Sequence, residues 1–433
     1  MTYSVIFSSV YRDVYTSIHS NRGAIVCLLN VCFVNLTYLS LYYKYYEAMA
    51  MRMHEVKTEN DKKLFLQVSI NVYKNDPNWI RPLDKDIEEV FDPLKNKFFK
   101  RGECIRWILM DDVGNAVGRI AAFVNRQYKQ EQPTGGIGFF ECDDSIEHAR
   151  FMFDHCKKWL QERNMEAMDG PINFGERDKW WGLLTDGFYS PLYGMNYNPP
   201  YYQALFEQYG FETYFNQVCF AMKVSSNLTD KFYERHAVFA ANNDFTAKMI
   251  EKKNLVQYAK DFTYIYNKAW AGHGGGKSLD EKTVQKMFRT MKAVMDESLI
   301  WFAYHKEEPI AMWVNIPDLN QYFKHLNGQF GILDKLKFLF LKTFGKCNRF
   351  VGLVFGVIPE FQGKGIDGYI IVEGAKVIQN LKKYEDYEMQ WIGDFNPKMI
   401  NISESLGTTR SRNLKTYRYL FDRTATFKRH KYL

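Results

Sequence analysis

Residues Val351–Asn380 read VGLVFGVIPEFQGKGIDGYIIVEGAKVIQN. The run Val351–Ile358 is apolar and rich in Val and Ile, which suits a buried strand. Pro359 stops it, having no N–H to give to a ladder. The loop Gln362-Gly363-Lys364-Gly365 comes next. From Tyr369 to Leu381, the residues Ile370, Ile371, Ala375, Ile378 and Leu381 then trace one face of a helix. Strand, glycine loop and helix in this order present unpaired backbone N–H groups to an anion, and the glycines let a phosphate approach with no Cβ in the way. On the loop alone, a ligand-free strand-to-helix turn accounts for the stretch just as well.

The stretch resembles the acetyl-CoA-binding motif of the GNAT (GCN5-related N-acetyltransferase) superfamily, whose signature is Gln/Arg-x-x-Gly-x-Gly/Ala with a proline upstream. Gln362 and Gly365 fill the first two fixed positions and Pro359 the upstream one. The third fixed position holds Asp367, with Gly368 behind it. An aspartate in a first helical turn suits the helix dipole, but pointed into the loop it repels a pyrophosphate.

Outward from this stretch, the same order of elements occurs twice. Each half reads helix, hairpin, strand, helix, strand, helix ending in Gly, strand. Turn residues at Asp111–Asn115 and Lys306–Pro309 mark the hairpins, and Ser145 is placed to cap the helix that begins beside it. This order is similar to that of a GNAT domain. The expected fold is therefore α/β (α+β): two tandem GNAT-like folds with mixed, mostly antiparallel sheets flanked by helices. The expected organisation is an extension over 1–52, a degenerate domain over 53–222, a polar linker over 223–245 and a cofactor-binding domain over 246–433. Tyr202–Phe211 and Ile402–Gly407 resemble the family's late helix. Where the second half has its glycine loop, the first runs Phe139-Phe-Glu-Cys-Asp-Asp-Ser145, with three carboxylates and no glycine, so it is expected to bind no cofactor.

The resemblance implies acetyl-CoA, or another acyl-CoA, held by Val357, Gln362, Gly363, Lys364, Gly365, Ile366 and Asp367. It also implies that N–H groups around Phe355–Val357 polarise the thioester carbonyl. The family often has a glutamate on this strand as base and a tyrosine in the late helix as acid. Here Val351–Ile358 contains no acid, and Ser403 stands at the tyrosine's place. Tyr417 or Tyr419 from the last strand is the substitute acid, and Asp394 or a water chain the base. The Gly170–Tyr202 stretch is dense in Gly, Pro and aromatics. It is read either as an aromatic satellite core or as a substrate wall in which Trp180, Trp181, Glu176 and Asp178 meet the acceptor. The acceptor is a small-molecule or peptide amine, with no nucleic acid among the partners. Two functions stand: an N-acyltransferase, and a non-catalytic module that binds or senses a ligand.

The 433 residues leave room for two or three domains, and the seven cysteines are scattered without a CxxC. That pattern points to reduced thiols in the cytoplasm and to no metal site. The formal charge of +7 equals the excess carried by residues 410–433, where eight basic residues face Asp422 alone; a solvated strand with a loose tail is the expected reading. Gly23–Tyr43 is an uncharged run of 21 residues, long enough to cross a bilayer. A membrane anchor, an extension outside the fold and a start further downstream all account for it, the extension being preferred. The segment Gly272–Ser278 resembles a P-loop but follows a helix instead of a strand, so it is read as a turn with a structural His273. Leu319–Lys346 is a helical, basic, Phe- and Leu-rich insertion.

Overall fold

The fold was obtained as a computed structural model that describes residues 51–127, 130–270 and 278–432. The apolar run at 23–43 and the glycine-rich loop around His273 lie outside these residues. The first half runs β1 (Arg52–Glu55), α1 (Glu59–Val72), α2 (Asp84–Val90), β2 (Gly102–Met110), β3 (Ala116–Asn125), β4 (Thr134–Cys142), α3 (Ile146–Gln161), β5 (Ala167–Gly170), β6 (Leu183–Asp186), α4 (Tyr202–Tyr209) and β7 (Glu212–Lys223). Helix α5 (Asp230–Ala240) follows. The second half repeats the order as β8 (Phe245–Met249), α6 (Leu255–Trp270), α7 (Glu281–Met291), β9 (Ile300–His305) and β10 (Glu308–Pro317). An insertion of α8 (Asn320–Phe323) and α9 (Ile332–Phe344) precedes β11 (Arg349–Val357), α10 (Ile366–Leu381), β12 (Asp386–Met389), β13 (Ile392–Gly393), α11 (Pro397–Ser405) and β14 (Thr409–Leu420).

Local chemistry sets these boundaries. Thr58 and Asp61 form a capping box at α1, Ser145 accepts from the His148 N–H at the start of α3, and Gly210 ends α4 at φ 106°.

The strands form one 14-stranded sheet, mostly antiparallel, in the order β1-β2-β3-β4-β5-β14-β7-β12-β11-β10-β9-β8, with β6 paired to β14 and β13 to β7. The last strand of each half has crossed to the other. β14 pairs with β5 of the first half, β7 pairs with β12 of the second, and the two lie antiparallel side by side in the middle. The cores follow the exchange. Tyr417 and Tyr419 of β14 pack with Phe206 and Phe211 in the first half, whereas Val218 and Phe220 of β7 pack with Ile300 and Phe350 in the second.

The basic C-terminal stretch is not a loose tail. Arg412 is fully buried and meets Glu388 at 2.7 Å, and Arg418 grips Asp169 at 2.6 and 2.8 Å. Arg410 reaches Glu404, Lys415 Glu207, Arg423 Glu212 and Arg429 Asp394, while Lys428 and Lys431 share Glu131. Strand exchange explains this for β14, which lies between the halves: Arg412 finds Glu388 on one side, and Lys415 and Arg418 find Glu207 and Asp169 on the other.

The polar passage at 223–245, expected as a linker, contains α5. Phe232 and Phe239, seven positions apart on one face, are buried against α10, and His236 meets Glu373 at 2.5 Å.

Candidate active site

The glycine loop sits between the end of β11 and the start of α10. Pro359–Phe361 makes one 3₁₀ turn, after which Gln362 Nε2 donates back to the Val357 carbonyl at 3.0 Å and ties the loop to its strand. Gly363 and Gly365 both take left-handed backbone, at φ 73° and 94°. Ile366 is buried and anchors the helix start, while Gln362, Gly363 and Lys364 are exposed. The N–H groups of Gly363, Gly365, Ile366 and Asp367 donate to nothing among the described residues, as expected for a first helical turn. A Cβ built on Gly363 would have no atom within 4 Å, so space lies open beside these donors. The loop fits an anion such as a pyrophosphate.

Asp367, the departure from the motif, is neutralised. Arg235 of α5 meets it at 2.6 Å, and the same side chain lies 3.0 Å from where a Cβ on Gly365 would stand. The passage taken for a linker therefore supplies a cation to the loop, beside its own Lys364. Sequence reasoning missed Arg235, although an acid at a position the motif reserves for Gly or Ala was a signal to seek a counter-charge.

β11 also carries a bulge. Val354 pairs with Val314 and Gly352 with Asn315, so Leu353 is the extra residue. Pairing with β12 ends at Gly352, apart from one further bond from the Gln390 N–H to the Gly352 carbonyl at 2.9 Å. Beyond it β11 continues to Val357 with no strand on that edge among the described residues, an opening where N–H groups such as those expected around Phe355–Val357 can meet a ligand. The equivalent place in the first half is filled. Ile172 N–H bonds the Ile137 carbonyl at 2.8 Å, and a Cβ on Gly138 would fall 1.9 Å from the Ile172 oxygen. The following loop is occupied by its own side chains: Glu141 is buried and accepts from Tyr73, Tyr202 and Arg119 at 2.8, 2.9 and 3.1 Å. Burial raises its carboxyl pKa against the pull of Arg119. Cys142, Asp143 and His148 bring ligand-type atoms within 4.8 Å of one another there, with His148 Nδ1 2.7 Å from Asp143 Oδ1; burial pushes the Cys142 thiol pKa up.

Between the halves runs an open groove of about 650 Å³. Phe123, Ile172, Phe174 and Trp181 form one wall, and Phe262, Tyr266, Phe288, Met291, Leu353 and Val354 the other. Two buried polar atoms on the first wall, Asn173 Oδ1 and Trp181 Nε1, have no hydrogen-bond partner among the described residues. Burial raises the Tyr266 hydroxyl pKa, with Glu176 adding to the shift across the groove. Of the four residues expected to meet the acceptor, Trp181, Glu176 and Asp178 line this groove. Glu176 also pairs with Lys97 at 2.9 Å. Trp180 points elsewhere, into a second cavity of the first half beside Phe139 and Tyr193.

The three expected catalytic residues are not gathered at the loop. Tyr417 is buried in the core of the first half and donates to Glu207 at 2.8 Å, a consequence of the strand exchange. Ser403 is fully buried and its hydroxyl donates to the Met399 carbonyl one turn back, so it has no proton to offer. Asp394 accepts from Arg429 at 2.6 Å and Asn216 at 2.8 Å, which holds it in a surface ion pair.

The solved structures decide the fold. Over 86% of this chain and 38% of the other, the architecture matches the GCN5-related glucosamine N-acetyltransferase region of a fungal multi-domain GH3 β-N-acetylglucosaminidase, with a TM-score of 0.51 at 12% identity. The fold is GNAT-like. No protein-family model matches the chain. Among curated proteins, this GNAT-like chain is similar to a bacterial ceramide synthase of Caulobacter vibrioides, 26% identical over 84% of this chain and 95% of that one. It is also similar to protein YghO of Escherichia coli, 25% identical over 83% and 93%. Among the described residues no helix of the GNAT-like fold is long and apolar enough to cross a membrane.

Proposed function

We propose that the chain is an acyl-CoA-dependent N-acyltransferase whose acceptor is an amine on a long apolar body. The observation that carries this reading is the position of Leu353 and Val354. They lie at the bulge of the strand that leads to the anion loop, and they also line the apolar groove. A CoA pyrophosphate on the N–H groups of Gly363, Gly365, Ile366 and Asp367 with Arg235 alongside would lay its thioester along the open edge of β11. Acceptor nitrogen and thioester carbonyl would then meet at the head of the groove. The nitrogen attacks the carbonyl carbon, the C–S bond breaks, the nitrogen loses a proton and the thiolate gains one. Asp178, which has no ion pair among the described residues, and Glu176 hold the ammonium or take its proton. Tyr266 offers the hydroxyl on the opposite wall. Likeness to a protein named ceramide synthase supports a lipidic amine over a polar one.

A direct test incubates the full chain with acetyl-CoA and with a long-chain acyl-CoA, each against a long-chain amino alcohol and a panel of polar amines. Amide formation is read by mass spectrometry and thiol release by absorbance. Amide from the long-chain acceptor alone is expected; turnover only of polar amines would overturn the acceptor assignment. One observation favours a second reading, a ligand-binding module: Ser403, Asp394 and Tyr417 are all engaged elsewhere. Saturation by one CoA per chain without turnover on any amine would select it.

A further inference from the structure

Helix α9 faces the solvent with its apolar side. Ile332, Leu333, Leu336, Leu339, Phe340 and Phe344 are 51–80% exposed. At about 100° per residue they fall on one contiguous face. The opposite face holds the helix down through Phe338, which packs with Tyr322 and Phe323, and through the half-buried Leu341. This inverts the usual order of a surface helix, in which the polar side meets water. Lysines border the exposed face: Lys335 and Lys342 on one flank, Lys337 on the other, Lys346 just past the end. Lys337 and Lys342 donate to the His325 and Ala293 carbonyls and Lys346 pairs with Glu385, while Lys335 has no partner among the described residues. Asp334, the acid of the helix, is turned to its N-terminus, where it accepts from the Gly331 N–H at 3.0 Å.

We propose that α9 docks the protein on an anionic lipid bilayer, lying in the interface plane with its apolar face among the acyl chains and its lysines at the headgroups. The charge pattern selects this occupant. Lys335, together with Lys337 and Lys342, whose bonds to neutral carbonyls leave their charge uncompensated, sets positive charge on both borders of the apolar face and so matches a sheet of anionic headgroups. The position suits a lipid acceptor too, because Met291 and Leu353 pack against the cluster under α9 and also line the groove. That connection rests on the proposed function, whereas the docking does not.

The experiment uses the full chain and vesicles of phosphatidylcholine with and without phosphatidylglycerol. Amide hydrogen exchange over residues 332–344 is followed by mass spectrometry, and partition by co-sedimentation. Slower exchange across α9 is expected with anionic vesicles only. The double variant Leu336→Glu, Phe340→Glu, both on the exposed face, is expected to lose that protection and to partition at least about tenfold more weakly. A melting curve checks that the variant is folded. Unchanged exchange in α9 with anionic vesicles overturns the proposal, even if the chain sediments through its first fifty residues. Protection without vesicles that grows with protein concentration would assign the face to a second copy. Protection without vesicles that is independent of concentration would assign it to residues 1–50 of the same chain.

Discussion

Arg235 and Asp367 stand 2.6 Å apart at the start of α10, one on the helix between the halves and the other in the first turn after the glycine loop. This contact turns an acid that would repel a pyrophosphate into half of an ion pair, leaving the backbone donors beside it to act. Removing the cation should therefore cost affinity for the coenzyme. Arg235→Glu is expected to weaken CoA binding by about tenfold or more by calorimetry, since it sets two carboxylates beside the phosphates. Arg235→Ala combined with Asp367→Ala should recover much of the loss, and additive effects in this cycle would show the pair to be irrelevant to binding.

The two loop glycines should behave differently. At Gly365 a side chain meets both a left-handed backbone and the Arg235 stem, so Gly365→Val is expected to lose CoA binding together with about 1–2 kcal/mol of stability. At Gly363 the added Cβ meets nothing, so Gly363→Ala should keep stability within about 1 kcal/mol while CoA affinity still falls. Calorimetry and urea titration on the same samples separate the two outcomes.

The buried pair Arg412–Glu388 links β14 to β12 across β7. Arg412 also donates to the carbonyls of Gly187, Tyr189 and Ser190. Glu388→Ala would leave the guanidinium without its carboxylate and is expected to cost about 3–5 kcal/mol in denaturant unfolding. A double change of Arg412 and Glu388 to Met should cost less than Glu388→Ala alone, because no lone charge stays inside.

Asp296 gives the fold an acid-sensitive joint. Burial opposes its ionisation, but Lys383 at 2.6 Å, Ser298 at 2.6 Å and Tyr384 at 2.7 Å prevail and hold the carboxyl at about 2. A folded value below the unfolded one means that the unfolded chain takes up the proton first, so the stabilisation exists above the ordinary aspartate range and fades as pH falls toward 2. Asp296→Asn should therefore be about 2 kcal/mol less stable near neutral pH. The gap should close in acid, and a gap independent of pH would refute the ion pair as its source.

What was legible in the sequence was what short-range chemistry decides. Pro359, the paired glycines, Ser145 as a cap and Gly210 as a stop each act within a few residues, so the repeated element order and the loop geometry followed directly. The exchange of β7 and β14 was not legible. Both strands carry the same alternation, and nothing local tells a strand which of two similar edges it will join. That one relationship moved Tyr417 into the other half's core and gave the basic segment its carboxylates. Arg235 was hidden because a polar stretch between domains reads as solvated, although Phe232 and Phe239 at seven-residue spacing marked a helix with one buried face. Three of the four residues named for the acceptor wall line the groove, because an aromatic loop too long for a connection has to cover something.

The exchanged strands also set a timetable for synthesis. Asp169 at the edge of the first half finds its partner Arg418 only 249 positions later, near the end of the chain. A ribosome that has released the whole first half has therefore released a sheet whose β5 edge is still bare, while β7 already waits for a β12 not yet made. Such an edge invites pairing with other chains. Neither half made alone should be a stable protein, and both made as separate chains should assemble into a heterodimer through β7 and β14.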